Sequence, residues 1–378
     1  MRDIAIDRWA DILVNYSLEA KPRQKAVIVA DPVTMPLVDA CIEKFLQAKA
    51  HVECLFMPAH LNEILYKNAD DDELKTPPEL LIYAAKNFDM YVSIDGSNNT
   101  KALARTDPKK QALVSKAAEG RLHAILNRAA KNECRWVKTQ FPTASAAQDC
   151  DMGLLEYEKF IFEACHLLDD NPIKYWHHLE KEQQALIEFL TPVKELRFVN
   201  NEGTDLLVNV EGMHWVNCCG KFNFPDGEVF TGPNLKAKDG GVNGVVRYTF
   251  PSVLRHVEVQ DVELVFEKGA VVQAKASKNE EFLKQMIHQD EGGKFVGEVA
   301  IGTNFQIPFG TKNILFDEKI GGTFHTAIGM GYPETGNTNK SALHWDLVCD
   351  LKKSGKIFAD GVLFFEKGRF LNEKFPKA

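Results

Sequence analysis

Short apolar runs alternate with amphipathic stretches along the first half of the chain. Three apolar runs predict buried strands: KAVIVAD at 25–31, HVECLFM at 51–57 and MYVSIDG at 90–96. Amphipathic stretches predict helices at 34–48, 108–130 and 152–190, the last with a break at Asn171-Pro172. Strands that alternate with helices are typical of a mainly parallel sheet covered by helices.

From about Val193 the pattern changes to short segments rich in β-branched and aromatic residues, separated by turn residues. One helical pattern interrupts them, near Glu280. The sequence therefore predicts an α+β (mixed) protein with two domains. Residues 1–195 would form a helix-rich α/β domain with a mainly parallel sheet, and residues 196–378 a β-rich, mainly antiparallel domain.

Composition and charge exclude several classes of protein. The 378 residues suit about two domains of roughly 150 residues each. The formal net charge of −8 argues against a general nucleic-acid binder, which needs clustered Lys and Arg. Charged residues interrupt the N-terminal segment, and charge or proline cuts the best later apolar runs within about ten residues, so neither a signal peptide nor a membrane span is predicted. The protein is expected to be cytoplasmic, with no nucleic-acid or membrane partner.

The eight cysteines are expected to be reduced thiols that act as small apolar side chains. No C-x-x-C motif is present, and the adjacent Cys218 and Cys219 would point to opposite faces of a strand. A shared cysteine zinc site is therefore not predicted.

Candidate chemistry begins with His344 and Asp346, which flank Trp345 in an apolar, strand-like run. With a period of two, imidazole and carboxylate lie on one face of the strand. If buried, both need a partner, and a divalent metal ion satisfies both. The alternatives are a surface pair or a hydrogen-bonded pair in the core.

A second histidine, His325, lies in an apolar segment directly after Gly321-Gly322-Thr323. Glu318 precedes this glycine pair and Tyr332 follows the next glycine-rich stretch. The alternative for His325 is a core histidine with satisfied hydrogen bonds, and for Tyr332 a phenol packed on a turn.

Glu228 begins a short apolar strand after a Pro-Asp-Gly turn, and Glu298 interrupts another apolar run. Either could instead be a solvent-facing strand residue. Combined with the residues above, they form a mixed carboxylate and imidazole set that suits a pair of zinc, cobalt or manganese ions. No short helical metal motif such as H-E-x-x-H supports this hypothesis.

At these residues the chain resembles the aminopeptidase T family of thermophilic metalloproteases, to which staphylococcal aminopeptidase S also belongs. The resemblance covers nearly the whole chain and is carried by six segments: RWVKTQFPTASAAQ, GTDLLVNVEGMHWVN, NFPDGEVFTGP, EVAIGTN, DEKIGGTFHTAIGMGYPETG and NKSALHWDL. It implies a metalloaminopeptidase, an exopeptidase that hydrolyses N-terminal residues from peptides through a two-metal-activated water. It also implies a homodimer and peptide substrates with a free N-terminus.

The resemblance further implies the site residues, all in the β-rich domain. Two divalent ions (Zn, Co, Mn or Mg) would be held by six ligands: Glu228, Glu298, Glu318, His325, His344 and Asp346. Glu228 is the expected bridging ligand, either Glu298 or Glu318 could instead carry a proton, and Tyr332 is the expected catalytic tyrosine. Gly232 stands where the family's GEVFTAP pattern has alanine.

Two other hypotheses remain open at the level of sequence. A two-metal hydrolase of another amide or ester would keep every ligand and change only the pocket. A non-catalytic protein that binds a metal or another small ligand would use the histidines structurally.

Overall fold

A computed structural model describes residues 3–377. The chain divides into two compact units, one that runs to Ile173 and includes Gly220–Pro225, and one that holds Lys174–Cys219 and the chain from Asp226 onward. This division falls at residue 173 rather than near residue 195. The reason is that Leu186 and Leu190, on the long helix before residue 195, are buried in the core of the second unit.

Strands and helices are numbered here in chain order. The strands are β1 Lys25–Ala30, β2 His51–Phe56, β3 Met90–Asp95, β4 Arg135–Gln140, β5 Glu195–Val199, β6 Asp205–Asn209, β7 Val216–Cys218, β8 Asn223–Phe224, β9 Glu228–Thr231, β10 Val242–Arg247, β11 Ser252–Leu254, β12 Val257–Val259, β13 Glu263–Glu267, β14 Ala270–Lys275, β15 Val296–Gly302, β16 Thr323–Gly329, β17 His344–Asp350, β18 Lys356–Ala359, β19 Val362–Glu366 and β20 Arg369–Phe370. The α-helices are α1 Ile4–Asp11, α2 Met35–Gln47, α3 Leu61–Asn68, α4 Asp71–Leu74, α5 Glu79–Asn87, α6 Pro108–Ala129, α7 Ala144–Asp149, α8 Leu154–Ala164, α9 Pro172–Leu190, α10 Glu280–Ile287 and α11 Ile314–Asp317. A π-helical segment, Ile12–Ser17, continues α1, and two 3₁₀ turns lie at Pro32–Thr34 and Pro333–Thr335.

The first unit contains a parallel sheet with the strand order β2-β1-β3-β4-β8. Its strands β1 and β3 are almost wholly buried, which agrees with the unbroken apolar runs that predicted them. The last strand, β8, comes from the second half of the chain and pairs with β4 through Lys138 and Thr139. This excursion was not predicted, because a strand of two residues carries no periodic pattern.

The second unit is built from an eight-stranded sheet, β14-β13-β10-β6-β5-β18-β19-β20, a five-stranded sheet, β17-β16-β15-β9-β7, and the hairpin β11-β12. All their pairings are antiparallel. One large apolar core joins side chains of the two larger sheets, for example Phe198 and Phe324, whose rings stack 4.3 Å apart. The predicted α+β fold, parallel in the first part and antiparallel in the second, is confirmed. No helix within residues 3–377 is long and apolar enough to cross a membrane.

Candidate metal centre

The five-stranded sheet of the second unit has one apolar face and one face that carries the candidate ligands. On the apolar face, side chains such as Val299, Phe324 and Leu347 are buried in the core. The opposite face brings together Glu228 on β9, Glu298 on β15, His325 on β16, and His344 with Asp346 on β17. Period-two alternation therefore places His344 and Asp346 on one face, as the sequence predicts.

The register of these strands makes room for the ligands. Glu298 and Asp346 each lie opposite Ala327, and His325 lies opposite Ala300. Since neighbours across a ladder share a face, alanine at these two positions leaves the space above the sheet to the polar side chains. The sequence prediction did not include this role of the small residues.

The ligands form two groups that share one carboxylate. Glu228, Glu298 and His325 can offer ligand atoms within 4.8 Å of one another, and so can Glu298, His344 and Asp346. Glu298 lies with Oε1 at 3.2 Å from Nε2 of His325 and with Oε2 at 3.6 Å from Nε2 of His344. Its two oxygens thus face different histidines.

Glu318 lies just after α11 and joins the same cluster. It forms a third group with His325 and Asp346. Its side chain is 14% exposed, more than those of Glu228 and Glu298 at 5% and 6%. Glu318 is therefore the carboxylate that water reaches most easily.

The tautomer of His344 is fixed by the backbone. Its Nδ1 lies 2.9 Å from the carbonyl oxygen of Met330, which can only accept a hydrogen bond. This contact leaves Nε2, the atom that faces the carboxylates, free for a metal. The Tyr332 ring packs edge-on against the same imidazole, at 5.1 Å between centroids, and against Phe230 at 5.4 Å.

Two buried charged residues of the cluster were missed by the sequence analysis. Lys319, which is fully buried, donates to Oε1 of Glu228 and lies 2.7 Å from Oε1 of Glu318 and 3.5 Å from Oδ1 of Asp226. Asp226 is 1% exposed. The available signals were the Asp-Glu-Lys run that starts at residue 317 and the Pro-Asp-Gly turn that contains Asp226. Both patterns more often mark solvated turns.

The electrostatics of the cluster favour protonated histidines in the metal-free protein. Burial by itself would lower the pKa of His344, but Asp346 and Glu298 raise it to about 10. Burial also opposes the charge on His325, yet Glu298 and Glu228 raise its pKa to about 9. Because a metal binds only neutral imidazole, loading of this centre must release these protons.

The carboxylates respond to burial in different ways. Burial raises the pKa of Glu228 to about 8, although Lys319 lies beside it. Burial would also raise the pKa of Asp346, but His344 lowers it to about 2. Burial and the surrounding carboxylates raise the pKa of the Tyr332 hydroxyl well above its usual range, so this group keeps its proton and can donate it in a hydrogen bond.

The donor set fits divalent cations. Within the described residues, the buried Oε2 of Glu228 and the buried Oδ1 of Asp346 have no hydrogen-bond partner. Oε2 of Glu228 lies 3.5 Å from Nε2 of His325, a spacing that suits two ligands of one ion rather than a hydrogen bond. Carboxylates with imidazoles are ligands that zinc, cobalt and manganese accept.

One cysteine lies closer to the centre than expected. Cys218 pairs with Glu228 across β7 and β9 and shares its face of the sheet. With Asp226 and Glu228 it forms another group whose ligand atoms lie within 4.8 Å of one another. Burial and the adjacent carboxylates raise the pKa of the thiol well above its usual range, so in the metal-free protein it stays protonated.

The glycine at position 232 has a packing reason. A Cβ there would lie 2.3 Å from Cβ of Asn337, whose side-chain amide donates to the carbonyl oxygens of Pro233 and Val296. Asn337 thereby ties the segment after Tyr332 to the strands of the centre. The departure from the family's alanine is thus matched to a buried asparagine.

Fold and centre together define a class: a two-part α+β protein with a buried carboxylate and imidazole site for divalent metal on an antiparallel sheet. Residues 2–370 match the family described as thermophilic metalloprotease (M29), and the chain belongs to that family. The resemblance stated from the sequence is confirmed. The enzyme class expected from the sequence, a metal-dependent hydrolase of peptide bonds, is the class of this family.

Individual relatives agree with this membership. The chain is 32% identical over 270 residues to aminopeptidase AmpS of Bacillus subtilis, a match that covers 66% of this chain and 64% of the Bacillus protein. It is 27% identical over 366 residues to aminopeptidase T of Thermus thermophilus, across 87% of this chain and 85% of the relative.

Solved structures show the fold. AmpT from Thermus thermophilus has a TM-score of 0.85 at 24% identity and covers 97% of this chain and 99% of its own. A dioxygenase that acts on 2,5-dihydroxypyridine, from Pseudomonas putida, has a TM-score of 0.61 at 14% identity and covers 98% of this chain and 97% of its own. The second likeness shows that the fold alone does not decide the chemistry, which must be argued from the site.

Proposed function

We propose that this protein is a metal-dependent aminopeptidase that removes N-terminal residues from peptides with two divalent cations. The observation that carries the proposal is the pair of ligand groups that share Glu298. Glu228 and His325 complete one group, and His344 and Asp346 complete the other. All six sequence-predicted ligands lie in one cluster of the second unit.

The shared position of Glu298 supports a bridging role for it. Glu228, the bridging ligand expected from the resemblance, has Oε1 engaged by Lys319 and only Oε2 directed toward His325. Glu298 has one oxygen toward each histidine. We therefore propose that Glu298 would contact both cations and that Glu228 would contact one.

The cations would supply Lewis-acid polarisation of the scissile carbonyl and a water of lowered pKa. Glu318, the most exposed of the clustered glutamates, would be the residue that holds a proton during the reaction and delivers it to the departing amine. Tyr332 keeps its hydroxyl proton and donates a hydrogen bond to the oxygen on which charge develops. We therefore propose Glu318, rather than Glu298, as the proton carrier.

The proposal extends to partners and location. Peptides with a free N-terminus are the substrates, because the acidic cluster attracts an ammonium group. A homodimer follows from the resemblance, and a reducing cytoplasm agrees with cysteines that are thiols in the described chain. Sedimentation of the purified chain would test the dimer.

The deciding experiment measures metal content and product together. We expect the metal-free chain, reloaded with Co, Zn or Mn, to bind two ions and to release amino acid from a tripeptide but not from its N-acetylated form. If the chain binds two ions but hydrolyses only other amides or esters, the protein is a two-metal hydrolase with a different substrate class. Less than about one ion per chain without hydrolysis would refute the metalloenzyme.

A further inference from the structure

The ammonium of Lys319 is a cation built into the metal centre. Its side chain is 1% exposed, as is that of Asp226, and it makes ion pairs with Asp226, Glu228 and Glu318. A buried ammonium is costly unless it is paired and hydrogen-bonded, and three carboxylates meet that condition here. The lysine therefore contributes a fixed positive charge beside the ligands.

The backbone holds this lysine in place. The carbonyl oxygen of Lys319 accepts a hydrogen bond from the Asn304 amide at 2.9 Å, and the Asn304 side chain donates to the carbonyl oxygen of Asp226 at 3.0 Å. Asn304 is itself fully buried. Asn304 thus fixes the backbone of Lys319 and the backbone of Asp226 relative to each other. The ammonium and its partner carboxylate therefore start from fixed positions.

The charge acts unequally on the two ligand groups. Glu228, to which Lys319 donates, belongs to the group with Glu298 and His325. Glu298 is common to both groups, and in the described part of the chain Lys319 makes no ion pair within 4.0 Å to Asp346, the carboxylate that the group with His344 adds. A cation held through Glu228 would therefore lie nearer to the ammonium than a cation held through His344.

We propose that Lys319 makes the two metal positions unequal: its ammonium weakens the position formed by Glu228, Glu298 and His325, and leaves the position formed by Glu298, His344 and Asp346 as the tighter one. This inference rests on the proposed two-metal function. Like charges repel strongly where water is excluded, and Lys319 also occupies one oxygen of Glu228. Lys319 is thus a positioning residue that acts through a ligand.

Asp226 sets how strongly the ammonium acts. It is paired with Lys319 and is not one of the six proposed ligands. Its carboxylate offsets part of the ammonium charge, so the weaker position still binds a cation. Occupancy of that position, and with it activity, would then follow the concentration of available metal.

The test is a titration of the metal-free, full-length chain with Mn²⁺ or Co²⁺, followed by calorimetry and by metal analysis after dialysis. We expect two steps in the wild type, separated by about tenfold or more in Kd. Lys319→Met should tighten the weaker step by about tenfold, and Asp226→Asn should weaken it further, while the tighter step changes little in both. Lys352→Met, which removes a half-buried ammonium that donates to the carbonyl oxygen of Pro308, should change neither step.

The opposite signs of the two variants separate this inference from a purely structural role. If both variants lose metal alike, or if the wild type binds two ions with equal affinity, the inference is wrong while the proposed function stands. A wild-type chain that binds no metal refutes both. If Lys319→Met does not fold, the double variant Lys319→Met/Asp226→Asn, which removes the ion pair as a whole, decides: a second step tighter than in Asp226→Asn supports the inference, and an equal or weaker one overturns it.

Discussion

At the scale of single residues, the Tyr332 hydroxyl has the most specific role that can be tested. Its ring packs on His344 and Phe230, and Tyr332→Phe keeps these contacts. Only the hydroxyl proton is lost. We expect kcat to fall by about a hundredfold or more, in the range measured for the loss of one oxyanion donor. Metal content and melting temperature should stay close to those of the wild type, and unchanged kcat would remove Tyr332 from the reaction.

Asp346 tests the ligand set itself. Asp346→Asn removes a buried charge that lies 3.5 Å from Nε2 of His344. Loss of a residue that merely orients a ligand costs about 10 to 100-fold in metal affinity, so loss of a direct ligand should cost at least about a hundredfold. The matched control is Asp350→Asn, at the other end of the same strand. Equal metal affinity in the two variants would contradict the assignment of Asp346 as a ligand.

Single residues also show what the sequence could and could not predict. All six predicted ligands lie in one cluster, because imidazoles and carboxylates in apolar strand patterns are rare enough to mark a site. Lys319 and Asp226 were missed, because charged residues beside a turn are usually solvated and their burial depends on tertiary contacts. The expectation that Glu228 bridges two ions takes no account of the contact of Lys319 with its carboxylate, because that contact cannot be seen in the sequence.

At the scale of elements, the strand pattern was sufficient to assign faces but not register. The alternation in β17 predicted that His344 and Asp346 share a face, as the structure shows. The pairing of β15 with β16 contains an irregularity between Val296 and Glu298 that no pattern in the sequence marks. This β-bulge shifts the register by one residue. Without it, Glu298 would lie opposite the neighbouring residue of β16 instead of its present partner.

Gly297 makes this bulge possible. A Cβ at residue 297 would lie 2.1 Å from the carbonyl oxygen of Met330, the same oxygen that receives the hydrogen bond from His344. Gly297→Ala should therefore displace Met330, and with it the proposed ligands Glu298 and His344. We expect weaker metal binding and a lower free energy of unfolding, measured by calorimetric titration and by denaturant melts.

The control for that substitution is Gly153→Ala, where an added Cβ meets nothing within 4 Å. It should leave metal binding unchanged and lower stability only slightly, because Gly153 is the N-cap residue of α8, where alanine is less favourable than glycine. If Gly297→Ala binds metal as tightly as this control, the bulge does not position Glu298. Both variants add one methyl group, but only the methyl group at residue 297 meets a close neighbour. A difference in metal affinity between the variants therefore measures the effect of that close contact.

At the scale of the whole molecule, the excess of acidic residues is partly explained by the centre. The formal net charge of the chain is −8. Five carboxylates of the second unit, Asp226, Glu228, Glu298, Glu318 and Asp346, lie around a single ammonium and two histidines. Protonated histidines reduce this charge in the metal-free chain, and bound cations would replace those protons. Stability, pH and metal are therefore coupled.

The metal-free protein should lose stability as the pH rises. The folded pKa values of His344 and His325, about 10 and about 9, exceed the ordinary value near 6.5. Their stabilising contribution is complete below about pH 6.5 and is lost as the pH rises through these values. Glu228 acts in the same direction, because its pKa of about 8 is above normal and ionisation of the buried group is unfavourable.

Metal should reverse this trend. Cations bind the neutral imidazoles that predominate at high pH, so the gain in melting temperature on loading should increase between pH 6 and pH 8.5. Calorimetric scans of metal-free and loaded protein at several pH values would measure it. In Asp346→Asn, the carboxylate that raises the pKa of His344 is absent, so the metal-free protein should lose less stability over this interval. A metal-free protein that becomes more stable from pH 6.5 to 8.5 would show that the histidines are not held protonated by their carboxylates.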